Sequence, residues 1–197
     1  MQGWVDVSGV HRDKEIQYGF SLLNDAKYSL DVNVRDIGMT VLRSPAYAHH
    51  IPSTVEAGRL HAFIDQGIQR FSYSMLAHSD GWEQAETVKR AAELNQRPTA
   101  LWATFHPNGT LPQVDSYINV QPSNILVSVL KQAEEGDDLI VRAYETAKIA
   151  TRGTIRLPHW NRTIEVDFAP CEIKTFRVPR DAAQPVIETD LLEWSIE

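Results

Sequence analysis

Seven histidines and one cysteine are the side chains best suited to metal binding or nucleophilic chemistry in this sequence. His49 and His50 are followed by His61 and Asp65, and imidazole and carboxylate groups are common zinc ligands. The spacing matches no helical template, however, and neighbouring side chains of an extended segment point to opposite sides. We therefore expect a solvent-exposed loop here, and no metal site in this chain.

A second candidate is His78-Ser79-Asp80, because a His-x-Asp sequence can bind zinc in hydrolases. It lies where a predicted strand meets a predicted helix. We favour the alternative that Asp80 caps this helix, with Glu83 completing a capping box, while His78 lines the turn. Cys171 has no neighbour except Lys174 that would activate its thiol, so we expect a small buried apolar side chain and no nucleophile.

Two further clusters have plain structural explanations. Four carboxylates within residues 134–138 are typical of a solvated hairpin loop. Arg156, His159, Trp160 and Arg162 surround Pro158, and a tryptophan beside basic side chains can stack on sugars or bases. The alternative, which we favour, is that Trp160 packs between strands. Glycine-rich phosphate loops, paired CxxC motifs and the Gly-x-Ser-x-Gly elbow do not occur, so the residues alone supply no convincing catalytic set.

Composition excludes several classes of protein. The 197 residues include 19 Lys+Arg and 26 Asp+Glu, a net charge of −7, which argues against general nucleic-acid binding. Apolar residues make up 43%, as in ordinary globular proteins, and no apolar run is long enough to span a membrane. The single cysteine rules out an internal disulfide and fits a reducing compartment. With no signal peptide at the start, we expect a cytoplasmic protein.

Period-two alternation of apolar residues dominates the chain and predicts an all-β, mainly antiparallel fold in two sandwich-like parts. Residues 30–34 and 39–43 form a predicted hairpin that reverses at Asp36-Ile37-Gly38. One segment has the helix period, residues 82–95, with Trp82, Ala85, Val88 and Ala92 facing inward. The other predicted strands are residues 18–23, 70–77, 124–131, 139–145, 154–157, 163–168 and 172–178.

The turn-rich segment 107–112 divides the predicted domains. The larger β-sandwich part, residues 1–107, includes the helix, and the smaller C-terminal β-sandwich with a closing strand covers residues 108–197. Alternation typical of a strand already begins at Trp4. We therefore expect this chain to be a piece of a longer protein.

Several stretches of the sequence form one recognisable series. They include Leu23-Asn24-Asp25-Ala26-Lys27-Tyr28, within residues 18–28, and Leu42-Arg43-Ser44-Pro45. The other stretches are residues 4–6, 78–82, 92–98, 137–145 and 188–194. In this order they resemble the C-terminal β-sandwich region of the family 38 glycoside hydrolases, the α-mannosidases, and the similarity extends from about Trp4 to Trp194. The two segments written out are quite specific for cytosolic, lysosomal and bacterial members.

This resemblance implies a zinc-dependent, retaining enzyme that hydrolyses terminal α-mannosides of oligosaccharides. In the family, an N-terminal barrel domain carries the metal ligands and the nucleophile, and its signature sequences are absent here. No catalytic residue or zinc ligand is therefore transferred to this chain, and zinc is expected in the catalytic domain. We expect the isolated chain to be inactive on α-mannosides.

In the family the C-terminal sandwiches pack on the catalytic domain and close one side of the sugar cleft. The resemblance therefore implies that domain and a mannose-containing oligosaccharide as partners, and a docking face that could also support a homo-oligomer. A salt bridge at a strand end is an equally open role for Arg43, and Ser29 replaces a glycine found in many relatives. The alternative function is a free-standing carbohydrate-binding or adhesion sandwich. The candidate cleft residues are Asn24, Asp25, Lys27, Tyr28 and Arg43.

Overall fold

The computed structural model describes residues 3–34, 36–46 and 56–196. These residues form mainly antiparallel β-structure with one α-helix, which confirms the predicted all-β fold class. The chain divides into two compact units, residues 1–98 and 99–197. The predicted division at residue 107, within the turn-rich region of residues 98–115, stays a prediction. Among the described residues, no helix has the length and apolar character needed to cross a membrane.

The first unit is built on one three-stranded antiparallel sheet. Its elements are β1 (Trp4–Val10), β2 (Gln17–Asn24), β3 (Leu30–Asn33), β4 (Asp36–Met39), β5 (Tyr73–Ser79) and α1 (Thr87–Asn95). The sheet has the order β1-β2-β5, and β3 pairs with β4 in a separate ribbon. The helix packs on β2 through its own buried residues Thr87 and Ala91. Trp4 and Trp82 bring their rings to 5.1 Å at one end of this layer.

Two predicted boundaries in the first unit are wrong. The hairpin reverses after Asn33, since Val34 has a positive φ of 55° and β4 already begins at Asp36. The helix begins at Thr87 and not at residue 82. Glu86 precedes it with a left-handed φ of 52° and no side-chain cap, which a helix running from residue 82 could not contain. The predicted Asp80 capping box is therefore not formed.

The second unit is a sandwich of two antiparallel sheets. Its strands are β6 (Asn119–Gln121), β7 (Ile125–Gln132), β8 (Leu139–Glu145), β9 (Thr151–Leu157), β10 (Arg162–Phe168), β11 (Ile173–Val178) and β12 (Ile187–Thr189). One sheet has the order β10-β9-β6 and the other β12-β11-β8-β7. Inward side chains of both sheets form one apolar core, as expected from their alternation. The buried members are Ile125, Val141, Ala143, Ile155, Leu157, Ile164, Phe168, Phe176 and Val178.

Glu145 carries a buried carboxylate at one end of this sandwich, with 2% of the residue exposed. Its oxygens accept hydrogen bonds from the Asn124 side chain (2.9 Å) and from the backbone N–H groups of Ala147 (2.6 Å) and Cys171 (3.0 Å). Burial alone raises the pKa of Glu145, but these hydrogen bonds outweigh it and hold the pKa below its ordinary value. One anion thus joins three loops.

Candidate functional site

Four of the predicted cleft residues lie in the segment that follows β2. Asn24 is the last residue of β2, and it is fully buried. Its Oδ1 accepts hydrogen bonds from the backbone N–H groups of Ala26 (3.2 Å) and Lys27 (2.9 Å). Because this side chain closes a turn on its own backbone, Asn24 shapes the loop and does not present an open acceptor there.

Asp25 anchors the same loop to the residues before β5. Its carboxylate accepts hydrogen bonds from the backbone N–H of Ser72 (2.7 Å) and from the guanidinium of Arg97 (2.8 Å). Arg97 also donates to the hydroxyl of Ser72 at 2.7 Å. The N–H of Ser72, followed by the charge of Arg97, holds the pKa of Asp25 below its ordinary value. Asp25 therefore acts as an ionised structural anchor.

Lys27 and Tyr28 present the polar and aromatic groups of this loop. The ammonium of Lys27 donates to Gln69 Oε1 at 3.1 Å and lies 5.8 Å from the centre of the Phe71 ring. The hydroxyl of Tyr28 donates weakly to the carbonyl of Asp25 at 3.4 Å, and 51% of this residue is exposed. Tyr28 thus presents an aromatic ring that is about half in contact with solvent, and aromatic rings of this kind can pack against sugars.

Arg43 lies in a different segment and is exposed. Ser44 beside it donates to the carbonyl of Ile64 at 2.8 Å and accepts a hydrogen bond from Gln66. Within residues 3–34, 36–46 and 56–196, no hydrogen bond or ion pair of Arg43 is found, either to a carboxylate or to the loop after β2. The structure therefore brings four of the five candidate residues together in the loop after β2, while Arg43 belongs to a separate segment of the chain.

This arrangement suits binding and not catalysis. Lys27, Tyr28 and Arg43 offer N–H and O–H groups that can donate to sugar hydroxyls, while the carboxylate of Asp25 is engaged by protein donors. In the described part of the chain, no group of three or more His, Cys, Asp and Glu side chains could hold a metal ion. Of the histidine group considered in the sequence, residues 49 and 50 lie outside the described residues.

Sequence reasoning missed a buried polar cluster on the helix-covered face of the first sheet. Asp6 on β1, Ser21 on β2 and His78 on β5 meet there. The Ser21 hydroxyl donates to Asp6 Oδ2 at 2.6 Å, and His78 Nε2 lies 2.7 Å from the same oxygen. The hydroxyl of Thr87 on α1 completes the cluster at 2.9 Å from Ser21 Oγ. His78 is therefore a strand residue facing inward, and the prediction that it lines a turn is wrong.

The geometry of this cluster differs from a nucleophilic triad. In a triad, the histidine uses one ring nitrogen for the serine and the other for the carboxylate. Here His78 Nε2 faces both Asp6 (2.7 Å) and Ser21 (3.2 Å), while Nδ1 is buried with no hydrogen-bond partner among the described residues. Burial alone raises the pKa of Asp6, but hydrogen bonds from Ser21, Ser8 and His78 hold it below its ordinary value. The cluster is a structural element.

The remaining candidates are mostly structural as well. Trp160 packs against the core of the second unit, as we favoured. Arg162 donates to the backbone carbonyls of Pro179, Asp181 and Gln184, at 3.2, 2.6 and 2.9 Å. Cys171 is exposed, so its predicted burial is wrong: a positive φ of 59° places it in a turn, where its N–H binds a carboxylate.

Comparison with known proteins shows what this chain is similar to. Residues 124–163, which run from the start of β7 into β10, match the family model described as the glycosyl hydrolases family 38 C-terminal beta sandwich domain. Two solved structures share the fold, with a TM-score of 0.68 in each case. One is an α-mannosidase from Enterococcus faecalis V583, 19% identical, with coverage of 91% of this chain and 21% of that chain. The other is a family 38 glycosyl hydrolase protein from Enterococcus faecalis with the same identity.

Two α-mannosidases are similar to this chain over most of its length. α-Mannosidase G of Dictyostelium discoideum is 29% identical over 154 residues, which are 75% of this chain and 12% of that protein. α-Mannosidase 2C1 of Mus musculus is 27% identical over 146 residues, which are 72% of this chain and 12% of that protein. The chain thus spans 12% of the length of these relatives. The predicted resemblance to the C-terminal β-sandwich region of family 38 α-mannosidases is confirmed.

Proposed function

We propose that this chain acts as the C-terminal accessory region of a zinc-dependent, retaining α-mannosidase that removes terminal α-mannosides from oligosaccharides. The observation that carries the proposal is the match of residues 124–163 to the family 38 C-terminal sandwich domain. These residues include three whole strands that contribute to the sandwich core. The similarity to α-mannosidases over 154 residues extends the same interpretation into the first unit.

The role of this region in the enzyme is to pack on the catalytic domain and to shape the sugar cleft. Lys27, Tyr28 and Arg43 are the proposed sugar-facing side chains, since each offers a donor and is at least partly exposed. Asn24 and Asp25 act through the loop, which their hydrogen bonds hold in one conformation. Such positioning favours binding because less side-chain freedom is lost when the ligand arrives.

The zinc ion of the proposed reaction does not fit the described residues of this chain, among which no three suitable ligands converge. The two most buried carboxylates, those of Asp6 and Glu145, are occupied by protein hydrogen bonds. We therefore assign zinc and both catalytic carboxyl groups to the catalytic domain. Retaining hydrolysis needs two such groups roughly 5 Å apart.

The proposed partners are that catalytic domain and a mannose-containing oligosaccharide. Self-association through the docking face is a secondary proposal. A cytoplasmic location is supported by the single cysteine, which is exposed and unpaired.

The test is an assay of aryl α-mannoside hydrolysis with zinc added. The 197-residue chain is compared with the product of the complete reading frame that contains it. We expect turnover only from the longer product, and loss of that turnover when this region is deleted. The proposal fails if the short chain retains activity after repurification and loses it when one of its own carboxylates is replaced. Equal failure of both products favours the alternative of a free-standing carbohydrate-binding sandwich.

The contribution of Arg43 is tested in the active longer product. Arg43→Ala should raise KM by about 10-fold if its guanidinium donates to the sugar, since one charge-assisted hydrogen bond contributes about 1.5 kcal/mol. Arg59→Ala is the matched control, because this arginine is exposed and pairs with Glu56, an exposed residue three positions away. Unchanged kinetics for Arg43→Ala would remove it from the cleft.

A further inference from the structure

The outer face of the β10-β9-β6 sheet carries a row of polar side chains. Ile118 and Val120 pack against the core, so alternation turns Asn119 and Gln121 of β6 outward. On β9, Thr154 and Arg156 alternate in the same way with core residues. In the antiparallel register, Asn119 lies opposite Arg156 and Gln121 lies opposite Thr154. Side chains paired in this way lie about 5 Å apart, which is close enough for two of them to contact one small ligand.

This face has two halves with different hydrogen bonding. In one half, Arg152 is paired with Glu165 at 3.0 Å and with Asp167 at 3.4 Å. In the other half, the side chains of Asn119, Gln121 and Arg156 have no hydrogen-bond or ion-pair partner in the described part of the chain, although carboxylates lie on the neighbouring strand. The second half thus presents open donors and acceptors arranged by the sheet.

An aromatic side chain stands at the end of the open half. Tyr117 lies in a bend two residues before Asn119, the first residue of β6. Its ring lies 4.7 Å from the His159 ring, and His159 Nε2 is 2.6 Å from a carboxylate oxygen of Asp115. The tilted imidazole of His159 lies against one side of the tyrosine ring, while 69% of Tyr117 remains exposed. A supported aromatic ring loses little entropy when a ligand stacks on it.

The four open residues also enclose a shallow depression. Asn119, Gln121, Thr154 and Arg156 line a volume of about 40 Å³. This space admits a water-sized group, since one water needs roughly 10–15 Å³ by the same measure. A hydroxyl of a ligand that lies across the sheet can therefore enter the depression.

We propose that this face, defined by Tyr117, Asn119, Gln121, Thr154 and Arg156, binds a neutral oligosaccharide. Amide, hydroxyl and guanidinium groups match the mixed donors and acceptors of sugar hydroxyls, and the tyrosine ring matches the apolar face of a pyranose. The arginines of the whole sheet face, Arg152 and Arg156, are balanced by the carboxylates of Glu165 and Asp167, so the surface carries no excess positive charge for an anionic ligand. This inference does not depend on the proposed α-mannosidase role.

The face lacks the features expected for other occupants. A protein partner needs an apolar centre at its interface, and the row between Tyr117 and Arg156 is polar. A nucleic acid or a sulfated glycan needs a basic surface, and the whole chain has a net charge of −7. A neutral oligosaccharide is the ligand class that fits both observations.

The experiment records amide ¹H–¹⁵N spectra of the 197-residue chain during titration with α-mannotriose, cellotriose and maltotriose. A heparin-derived disaccharide is the anionic comparison. We expect at least one neutral trisaccharide to bind with a dissociation constant on the order of 1 mM, as befits a few exposed hydrogen bonds and one stacking contact. The shifted amides should cluster at residues 117–121 and 154–156.

Variants then test the two halves of the face. Arg156→Ala should weaken binding by about 10-fold and Tyr117→Ala by about 5-fold, whereas Arg152→Ala should change it less than about 2-fold because that arginine is already paired. The proposal is overturned if no neutral trisaccharide shifts these amides at about 20 mM, roughly twenty times the expected dissociation constant. Tighter binding of the anionic disaccharide, or an equal effect of Arg152→Ala, would also overturn it. Each variant's spectrum reports whether its fold is intact, and α-mannosidase activity plays no part in any readout.

Discussion

The two units differ in the kinds of side chain that fill most of their interiors. The described residues of the first unit bury few apolar side chains, namely Leu22, Leu23 and Ala91, and they surround a hydrogen-bonded cluster of Asp6, Ser21, His78 and Thr87. The second unit buries a continuous apolar core between two sheets. Hydrophobic burial depends on area and tolerates small shifts, whereas hydrogen bonds in a buried cluster depend on direction. The first unit should therefore be sensitive to changes in geometry and the second to lost volume, while each responds to acid through one buried carboxylate, Asp6 and Glu145.

The largest effect is expected from Phe168→Ala in the second unit. Phe168 is 1% exposed, and its ring packs over Gly153, where an added Cβ would lie 3.1 Å from a ring carbon. Removing the ring leaves a cavity and should lower the free energy of unfolding by about 3–5 kcal/mol.

Native-state hydrogen exchange, read separately for each unit, measures this effect. Amides of β8 and β9 should lose protection, while amides of β2 change less. Phe105→Ala is the control, because Phe105 is 87% exposed and its loss should alter stability by less than about 0.5 kcal/mol. Equal destabilisation by the two variants would contradict the contrast between a packed core and an exposed segment.

A smaller effect is expected from Gly19→Ala in the first unit. Gly19 lies opposite His78 in the β2–β5 register, and an added Cβ would lie 2.1 Å from His78 Cε1. The imidazole must therefore move away from Asp6 and Ser21, at a cost of about 1–3 kcal/mol for overpacking.

Gly9→Ala is the matched control, since an added Cβ there would meet its nearest atom, the Tyr18 hydroxyl oxygen, at 3.8 Å. Urea unfolding of both variants measures the difference between them. If Gly19→Ala is as stable as Gly9→Ala, the position of His78 does not contribute to stability.

The smallest expected effect is on the pH dependence of folding stability under acidic conditions. Because the folded state lowers the pKa of Asp6, the unfolded chain takes up a proton first as the pH falls. The stabilisation is complete above the ordinary pKa of about 3.9 and is lost as the pH falls through the lower, folded value. Asp6→Asn should therefore reduce the acid dependence of stability in the first unit only.

Glu145→Gln is the corresponding change in the second unit, where the pKa shift has the same direction. Hydrogen exchange between about pH 5 and pH 2.5 measures the slope for each unit. Loss of the slope in both units from one substitution would show that the two units do not respond separately.

The sequence predicted strands better than it predicted contacts. Alternation places β8 at its observed residues, because the apolar residues of a sandwich strand reveal which face is buried. The start of α1 was missed because periodicity continues through residues 82–86, whereas Glu86 adopts a left-handed backbone that propensity does not reveal. Boundaries set by one unusual φ angle are not visible in a hydrophobic pattern.

Polar contacts depend on strand order and register, which alternation does not determine. Asp6 and His78 meet because β2 lies between β1 and β5, and an error of one residue in either register would turn one of them to the opposite face. A signal was present, since Asp6 lies between the apolar residues Val5 and Val7 of β1. For the candidate cleft, the sequence predicted a loop at residues 24–28, but the pairing of Asp25 with Arg97 required the fold.

The carboxylate of Glu145 has a consequence for how this sandwich can diversify. Surface loops usually accept insertions and deletions independently, and this freedom allows a fold to acquire new functions. Here the β8–β9 turn, the β10–β11 turn and the segment before β7 donate to one anion. Lengthening any one of them would withdraw a donor from a buried charge, so the three loops should change length together or not at all. Random insertion libraries should therefore recover few viable clones at this end of the sandwich.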